Sequence, residues 1–198
     1  MSQITMTQAL NRAIDEAMAE DEGVILLGED VAAKQGGGVF KISAGLTEKY
    51  GEQRVRATPM SEHAIVGARV GAALAGFRPI AEIMLMNFVT VAMDQIVNHA
   101  AKLRFMSGGQ TNVPLVIRTT TGVGVGFGGQ HSDMLEAWFA HVPGLKIVTP
   151  SNAADAQGLM RAAIACNDPV IFIENILCYG MKSDDPGAGH FVPLGKAA

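Results

Sequence analysis

The sequence predicts an α/β fold in three layers, with a mostly parallel six-stranded sheet covered by helices on both faces. Short apolar segments alternate with helical patterns along the chain, which is typical of βα repeats. Apart from the weak candidate at 54–57, these segments are continuous rather than alternating, so both faces of their strands should be buried. Of the 198 residues, 48% are hydrophobic and 17% are charged, which is enough apolar material for a large core.

The predicted elements follow one another in regular order. The strands cover residues 24–27, 54–57, 79–84, 114–118, 145–148 and 170–173. The helical patterns cover residues 7–20, 42–50, 64–75, 87–106, 134–141 and a segment that begins at 152. Thr5 or Thr7 can cap the first helix. The helix at 64–75 is small and apolar almost all round, so we expect it to be buried, and we expect a loop beyond Tyr179.

The composition excludes several classes of protein. A net charge of −4 argues against a general nucleic-acid-binding protein, which would need a basic patch, and no apolar segment is long enough to span a membrane. Cys166 and Cys178 are too few for a disulfide framework, and they fit a reducing compartment. The first residues contain no apolar signal segment. These observations predict a cytoplasmic, bacterial-type protein.

Four candidate functional residues follow successive predicted strands. Glu29 comes after the first strand, Glu62 after the second, Phe88 after the third and His131 after the fourth. Ligands of parallel sheets bind in the crevice at the carboxyl ends of the strands. The sequence therefore predicts that these side chains share one crevice.

Each of these residues also has an ordinary structural interpretation. Glu62 can simply complement the dipole in the first turn of its helix, Phe88 can be a core aromatic, and His131 can be a solvated loop residue. A partly buried carboxylate without a partner is costly to keep. Since the helix after Glu62 is predicted to be buried, this cost makes Glu62 a candidate acid.

The glycine-rich segment 122–129 allows a second hypothesis. Residues 124–129, GVGFGG, match the G-x-G-x-x-G pattern of dinucleotide-binding proteins. The acidic residue expected about 20 positions later, at the end of the next strand, is absent from residues 145–149. An oxidoreductase domain that binds NAD(H) stays an alternative, and so does a mobile loop that only shapes a site.

The sequence resembles the beta subunit of thiamine-diphosphate-dependent 2-oxo acid dehydrogenases, the decarboxylating components of pyruvate, branched-chain and acetoin dehydrogenase complexes. The resemblance is carried in order by LLGEDV (26–31), GGVFKISAGL (37–46), TPMSEHAIVGARVGAALAGFRPIAEIM (58–84), MDQIVNHAAKLRFMSGGQ (93–110), PLVIRT (114–119), QHS (130–132), PGLKIVTPSNAADAQGLMRAAI (143–164) and DPVIFIEN (168–175). It implies that residues 1–193 form the transketolase-like pyrimidine-binding domain. Residues 194–198 would begin the linker to a C-terminal domain.

The resemblance implies a role for each candidate residue. Glu62 would bond N1′ of the cofactor's aminopyrimidine and favour the imino tautomer, whose N4′ is a base beside the thiazolium C2. Phe88 would stack on the pyrimidine, His131 would face the substrate, and Glu29 would be an acid near the cofactor. A structural K⁺ ion would be held through backbone carbonyls at Leu115, Ala163, Cys166 and Asp168.

A missing motif implies a partner. The Gly-Asp-Gly…Asn motif that holds Mg²⁺ and the cofactor's diphosphate is absent from this sequence, and in this family it belongs to the alpha subunit. The resemblance therefore implies half of a site in an α2β2 heterotetramer, which decarboxylates a pyruvate-like 2-oxo acid and acylates the lipoyl group of an acyltransferase. An acetoin dehydrogenase subunit and a non-catalytic assembly module remain alternatives.

Overall fold

The computed structural model describes residues 2–196, and the last two residues of the predicted linker lie outside this range. The strands are β1 (Gln3–Thr5), β2 (Val24–Glu29), β3 (Val55–Thr58), β4 (Arg78–Ile83), β5 (Val116–Thr121), β6 (Lys146–Val148), β7 (Val170–Asn175) and β8 (Lys182–Asp184). The helices are α1 (Met6–Glu20), α2 (Leu46–Tyr50), α3 (Glu62–Leu74), α4 (Met86–Val89), α5 (Leu103–Met106), α6 (Glu136–Ala140) and α7 (Ala153–Ala165). Short 3₁₀ turns occur at Ala33–Gln35, Thr90–Ala92 and Ile176–Cys178.

The predicted six-stranded sheet is confirmed, and all of its pairings are parallel. Its strand order is β3-β2-β4-β5-β7-β6. The chain moves from β2 to one neighbour, β3, and then returns to the other neighbour, β4. This reversal creates a crevice at the carboxyl ends of the strands, where open α/β sheets bind their ligands.

Each face of the sheet has its own hydrophobic core, which gives the three layers. On one face α1 packs against α7 and both cover the sheet, with Leu10, Leu26 and Phe172 among the fully buried residues. On the other face α3 and the segment 86–106 cover β4, β5 and β7. The buried central strands explain why their sequences are continuous apolar runs.

The start of the chain is more ordered than its sequence indicates. Thr5 caps α1 in a reciprocal arrangement with Gln8, in which each side chain accepts from the other residue's backbone N–H. This is a capping box. The three residues of β1 pair antiparallel with β8. The prediction of a loop beyond Tyr179 is therefore wrong for residues 182–184, because a partner nearly 180 residues away leaves no local pattern in the sequence.

The predicted long helix at 87–106 is broken into short pieces. α4, a 3₁₀ turn, a π-helical segment at Gln95–Ala100 and α5 follow one another. The apolar period predicts Ile96 and Ala100 correctly, since both are buried. It is wrong for Val91, which is 55% exposed, because the period assumes one regular α-helix and the winding changes along the segment.

The helix at 64–75 is also less buried than predicted. α3 begins at Glu62 and buries one stripe, which includes Ile65, Val66 and Val70. Ala64 and Ala68 are exposed. Small side chains all round a helix thus fail to establish that every side is covered within one chain.

No helix among residues 2–196 is long and apolar enough to cross a membrane.

Candidate active site

A cavity of about 250 Å³ lies in the crevice at the carboxyl ends of the strands. All four predicted site residues line it, namely Glu29, Glu62, Phe88 and His131. The rest of the lining is largely apolar and includes Ile65 and Leu85. The structure thus brings together the four side chains that follow successive predicted strands.

Glu62 stands at the entrance of the cavity as the first residue of α3. The turn after β3 brings it there, and Ser61 precedes it without making a side-chain cap. Glu62 is half-buried. Within residues 2–196 its carboxylate makes no hydrogen bond and no ion pair to another side chain, so it is available to a ligand in the cavity.

Glu29 places a second carboxylate beside the first. It is the last residue of β2 and is half-buried. Burial raises the pKa of Glu29, and the negative charges of Asp30 and Glu62 raise it further. Two acids in one cavity repel each other. The cavity therefore favours a ligand that brings a proton donor or a positive charge.

Phe88 and His131 form one wall as a pair. Their ring centroids are 5.2 Å apart and their planes are at 88°, which is the edge-to-face geometry favoured between aromatic rings. Phe88 comes from α4, directly after β4, and His131 comes from the loop after β5. The contact holds an imidazole against an aromatic ring at the edge of the cavity.

The loop that carries His131 is held by contacts that the sequence pattern does not predict. Asn87 donates to the carboxylate of Asp133 at 2.7 Å, and the N–H of Asp133 donates back to Asn87 at 3.2 Å. Gly122 lets the loop close, because a Cβ there would lie 2.1 Å from the carbonyl oxygen of His131. These two hydrogen bonds form a clamp between Asn87 and Asp133. In the sequence, only the position of Asn87 next to Phe88 indicates that Asn87 belongs to the site.

The cavity fits a planar, nitrogen-containing ring better than a phosphate. A partnerless carboxylate, a second acid and an aromatic face suit hydrogen bonding and stacking with an aminopyrimidine. Among residues 2–196 no Lys or Arg lines the cavity, and the carboxylates of Glu29 and Glu62 would repel a phosphate group. The described residues therefore suit the pyrimidine end of thiamine diphosphate better than its diphosphate.

A buried ionic cluster that sequence reasoning missed lies at the carboxyl ends of the central strands. Arg118 of β5 donates to Glu174 through Nε at 2.6 Å and through Nη2 at 2.7 Å, and its Nη1 donates to Glu82. Tyr179 donates to Glu174 as well. Burial raises the pKa of Glu82, although Arg118 opposes this. Glu82 also belongs to the cavity lining, so the cluster fixes the floor of the site.

The residues expected to hold K⁺ lie between β5, β7 and the end of α7. The carbonyl of Leu115 accepts from Val170 N–H at 2.9 Å, that of Ala163 from Cys166 N–H at 3.2 Å, and that of Cys166 from Arg78 Nη1 at 3.2 Å. Each carbonyl keeps a second lone pair, which a cation can use. The K⁺ site stays a prediction.

Two further observations concern metals and nearby charges. The carboxylate of Asp168 is paired with Arg104 and Lys146, so only its backbone remains for an ion. Among residues 2–196 no cluster of His, Cys, Asp and Glu side chains could hold a metal ion.

The dinucleotide hypothesis finds little support in the geometry. The glycine loop leaves β5 with positive φ angles at Gly124, Gly126 and Gly128. It does not lead directly into a helix, since α6 begins only at Glu136 and has five residues. Dinucleotide phosphates need the N-terminus of a helix at this place. The loop serves instead to position His131.

The family model described as "Transketolase, pyrimidine binding domain" matches residues 2–179. The chain belongs to this family. Solved structures agree on the fold of this pyrimidine-binding domain. A split-gene transketolase, described as an inactive beta4 tetramer, has a TM-score of 0.73 at 17% identity, with 98% of this chain and 57% of that chain covered. Transketolase from Leishmania mexicana has a TM-score of 0.69 at 18% identity, with 95% and 27% covered.

Curated relatives are much more similar in sequence. The mitochondrial pyruvate dehydrogenase E1 component subunit beta-1 of rice is 48% identical over 98% of this chain and 53% of its own length. The corresponding mitochondrial beta subunits of cow and human are each 46% identical over 98% of this chain and 55% of their own length. The resemblance to 2-oxo acid dehydrogenase beta subunits is confirmed. The chain spans about half the length of these curated relatives.

The relatives also correct one prediction and weaken another. They are mitochondrial proteins, so the prediction of a cytoplasmic, bacterial-type protein is wrong. That prediction depended on the absence of a targeting segment, and the first residue of this sequence carries no information about one. These relatives are pyruvate dehydrogenase components, which does not favour the acetoin alternative.

Proposed function

We propose that the pyrimidine-binding domain is half of the active site of a thiamine-diphosphate-dependent pyruvate dehydrogenase E1 component. The observation that carries the proposal is the partnerless carboxylate of Glu62 in a cavity with the Phe88–His131 wall. The beta-subunit relatives support the same assignment. Residues 1–193 would form the domain, and 194–198 would lead toward the second domain of the family.

Each residue has a task in this proposal. When bound, thiamine diphosphate supplies the carbon nucleophile and the electron sink that decarboxylation of a 2-oxo acid requires. Glu62 shares a proton with the N1′ atom of the pyrimidine and so sets its tautomer. Phe88 provides the surface for stacking. Glu29, whose pKa is raised by burial and by Asp30 and Glu62, would be a second acid near the ring.

His131 would act on the substrate side of the site. Its loop is clamped through Asn87 and Asp133, and its ring is oriented by Phe88. An imidazole in a fixed position can serve as a general acid or a general base. In this role His131 would protonate or stabilise the acyl group as it passes to the lipoyl arm.

The other half of the site would come from an alpha subunit. That subunit would hold Mg²⁺ and the diphosphate, since no Lys or Arg in the described part of this chain lines the cavity. The assembly would be an α2β2 heterotetramer that passes the acyl group to a lipoyl acyltransferase. A K⁺ ion on the carbonyls of Leu115, Ala163, Cys166 and Asp168 would be structural.

Reconstitution tests this proposal. The protein that carries this sequence is mixed with the alpha subunit of pyruvate dehydrogenase E1 from the same organism, thiamine diphosphate and Mg²⁺, and carbon dioxide release and acylation of a lipoyl domain are measured. Pyruvate should be decarboxylated only when both chains are present. An assembled complex that releases no carbon dioxide from any 2-oxo acid would identify a non-catalytic assembly module. Binding of NADH by the beta chain alone would favour the dinucleotide hypothesis.

A further inference from the structure

The sheet is incompletely covered on one face at β2 and β3. The register puts Leu27 on the same face as Ala81 and Arg56, which is the face covered by α3. Ala81 is fully buried, whereas Leu27 is half-buried and Arg56 is exposed. On the opposite face of these two strands, Leu26 and Val55 are fully buried. Parallel sheets are normally covered on both sides, so one layer is missing here.

Arg69 of α3 is buried next to this face without a counter-charge. Only 4% of the residue is exposed, and its Nε and Nη2 atoms have no hydrogen-bond partner among residues 2–196. Burial, together with the charge of Arg56, lowers the pKa of Arg69 to about 10, so the guanidinium still carries its charge at neutral pH. A buried cation without a partner destabilises a fold.

The side of α3 next to this face carries small side chains. Gly67 marks the opposite side of the helix, because a Cβ there would lie 3.0 Å from Gln95 Oε1. The helical period puts Ala68 and Ala72 on the side next to this face, and Ala68 is exposed. Small side chains allow another element to approach the helix closely. The surface thus combines room for a neighbour with an unpaired positive charge.

We propose that the face formed by Leu27, Arg56, Ala68 and Arg69 is a docking surface for the alpha subunit, which presents an Asp or Glu side chain to Arg69. The inference rests on the proposed function, because that function requires a second chain at the mouth of the cavity. Glu62 and Arg69 are seven residues apart on α3, a rise of about 10 Å. A chain that completes the cavity at Glu62 can therefore extend over Arg69.

A carboxylate is the group that this arginine suits best. The planar guanidinium can bind both oxygens of a carboxylate, and such pairs are stronger than neutral hydrogen bonds. A neighbouring carboxylate would also offset the repulsion between Arg69 and Arg56. Pairing would turn a destabilising group of the free chain into an attractive contact of the complex.

Two properties of an Arg69→Met variant test the inference. Binding to the alpha subunit should weaken by at least about 30-fold, as expected when one member of a buried charge pair is removed. The free chain should melt at a higher temperature than wild type, because an unpaired buried charge has been replaced by an apolar side chain. Lys34→Met is the control, since it removes an exposed cation paired with Glu52 at 3.4 Å, and it should change neither property.

The possible outcomes are distinct. Arg69→Gln repeats the binding measurement with a polar, uncharged side chain and should also weaken association. Equal binding and equal turnover for wild type and both Arg69 variants would overturn the docking surface and leave the proposed function intact. Loss of self-association by Arg69→Met, with binding to the alpha subunit unchanged, would assign the surface to a second copy of this chain and overturn the inference. A wild-type chain that neither binds the alpha subunit nor supports turnover would contradict the proposed function itself.

Discussion

Phe88 and His131 meet edge to face in the wall of the cavity, with ring centroids 5.2 Å apart and an interplanar angle of 88°. The two residues come from different loops, and each restricts the other. Phe88→Leu removes both the stacking surface and the contact that orients the imidazole. Affinity of the assembled enzyme for thiamine diphosphate should fall by about 5- to 10-fold, in line with about 1 kcal/mol for an aromatic pair.

Titration of the cofactor against the quenching of protein fluorescence measures this affinity. Phe105→Leu is the matched control, because Phe105 is 88% exposed and does not line the cavity. The stacking role given to Phe88 would be wrong if both variants bound the cofactor as tightly as wild type.

Gly122→Ala should lower turnover without unfolding the domain. The added Cβ would lie 2.1 Å from the carbonyl oxygen of His131, so the loop would have to move. A displacement of about 1 Å in a catalytic group can lower the rate by about 100-fold. Gly129→Ala in the same loop is the control, since nothing lies within 4 Å of a Cβ there. Steady-state rates that fall equally for both variants would show that the loop, rather than the position of His131, is responsible.

Glu29→Gln should stabilise the free chain at neutral pH. Because the pKa of Glu29 is raised on folding, the folded state binds its proton more tightly than the unfolded state does. The favourable contribution of Glu29 to the free energy of unfolding is therefore fully present below its ordinary pKa of 4.5. This contribution is lost as the pH rises through the pKa of Glu29 in the folded chain. Thermal melts should show a higher melting temperature for the variant at pH 7 and little difference at pH 4. A variant that is less stable than wild type at pH 7 would contradict the burial of this carboxylate.

Arg118→Met should be among the most destabilising single substitutions in the chain. It would leave Glu82 and Glu174 buried without their shared cation, and breaking such a pair typically costs about 3–5 kcal/mol of unfolding free energy. Arg104→Met breaks the half-exposed pair with Asp168 and should cost about 1 kcal/mol or less. Urea unfolding of the two variants compares these costs directly, and equal losses would contradict the role of the buried cluster.

The sequence predicts what depends on local pattern and spacing. Continuous apolar segments identify five strands of the sheet, and the sixth, β3, follows from the alternation of strands and helices. Residues after strand ends identify Glu29, Glu62, Phe88 and His131. Parallel strands end at one edge of the sheet, so these four residues converge even though about 100 residues separate the first from the last. This part of the site follows from the order of elements alone.

Contacts between distant residues are not encoded in any local pattern. Arg118 meets Glu82 and Glu174 from positions 36 and 56 residues away, and β1 pairs with β8 from opposite ends of the chain. The clamp between Asn87 and Asp133 is of the same kind. The sequence also cannot tell whether a side of α3 is exposed, because small residues suit both a core and a surface that another chain covers.

Replacement of Glu62 by Gln tests the central claim most directly. The amide keeps the size of the side chain but cannot share an acidic proton with N1′, so decarboxylation of pyruvate by the reconstituted complex should fall by about 100- to 10,000-fold. Sedimentation should show that the variant assembles with the alpha subunit as wild type does. Turnover within a factor of about two of wild type would contradict the account, because the partnerless carboxylate at the start of α3 would then have no part in the chemistry.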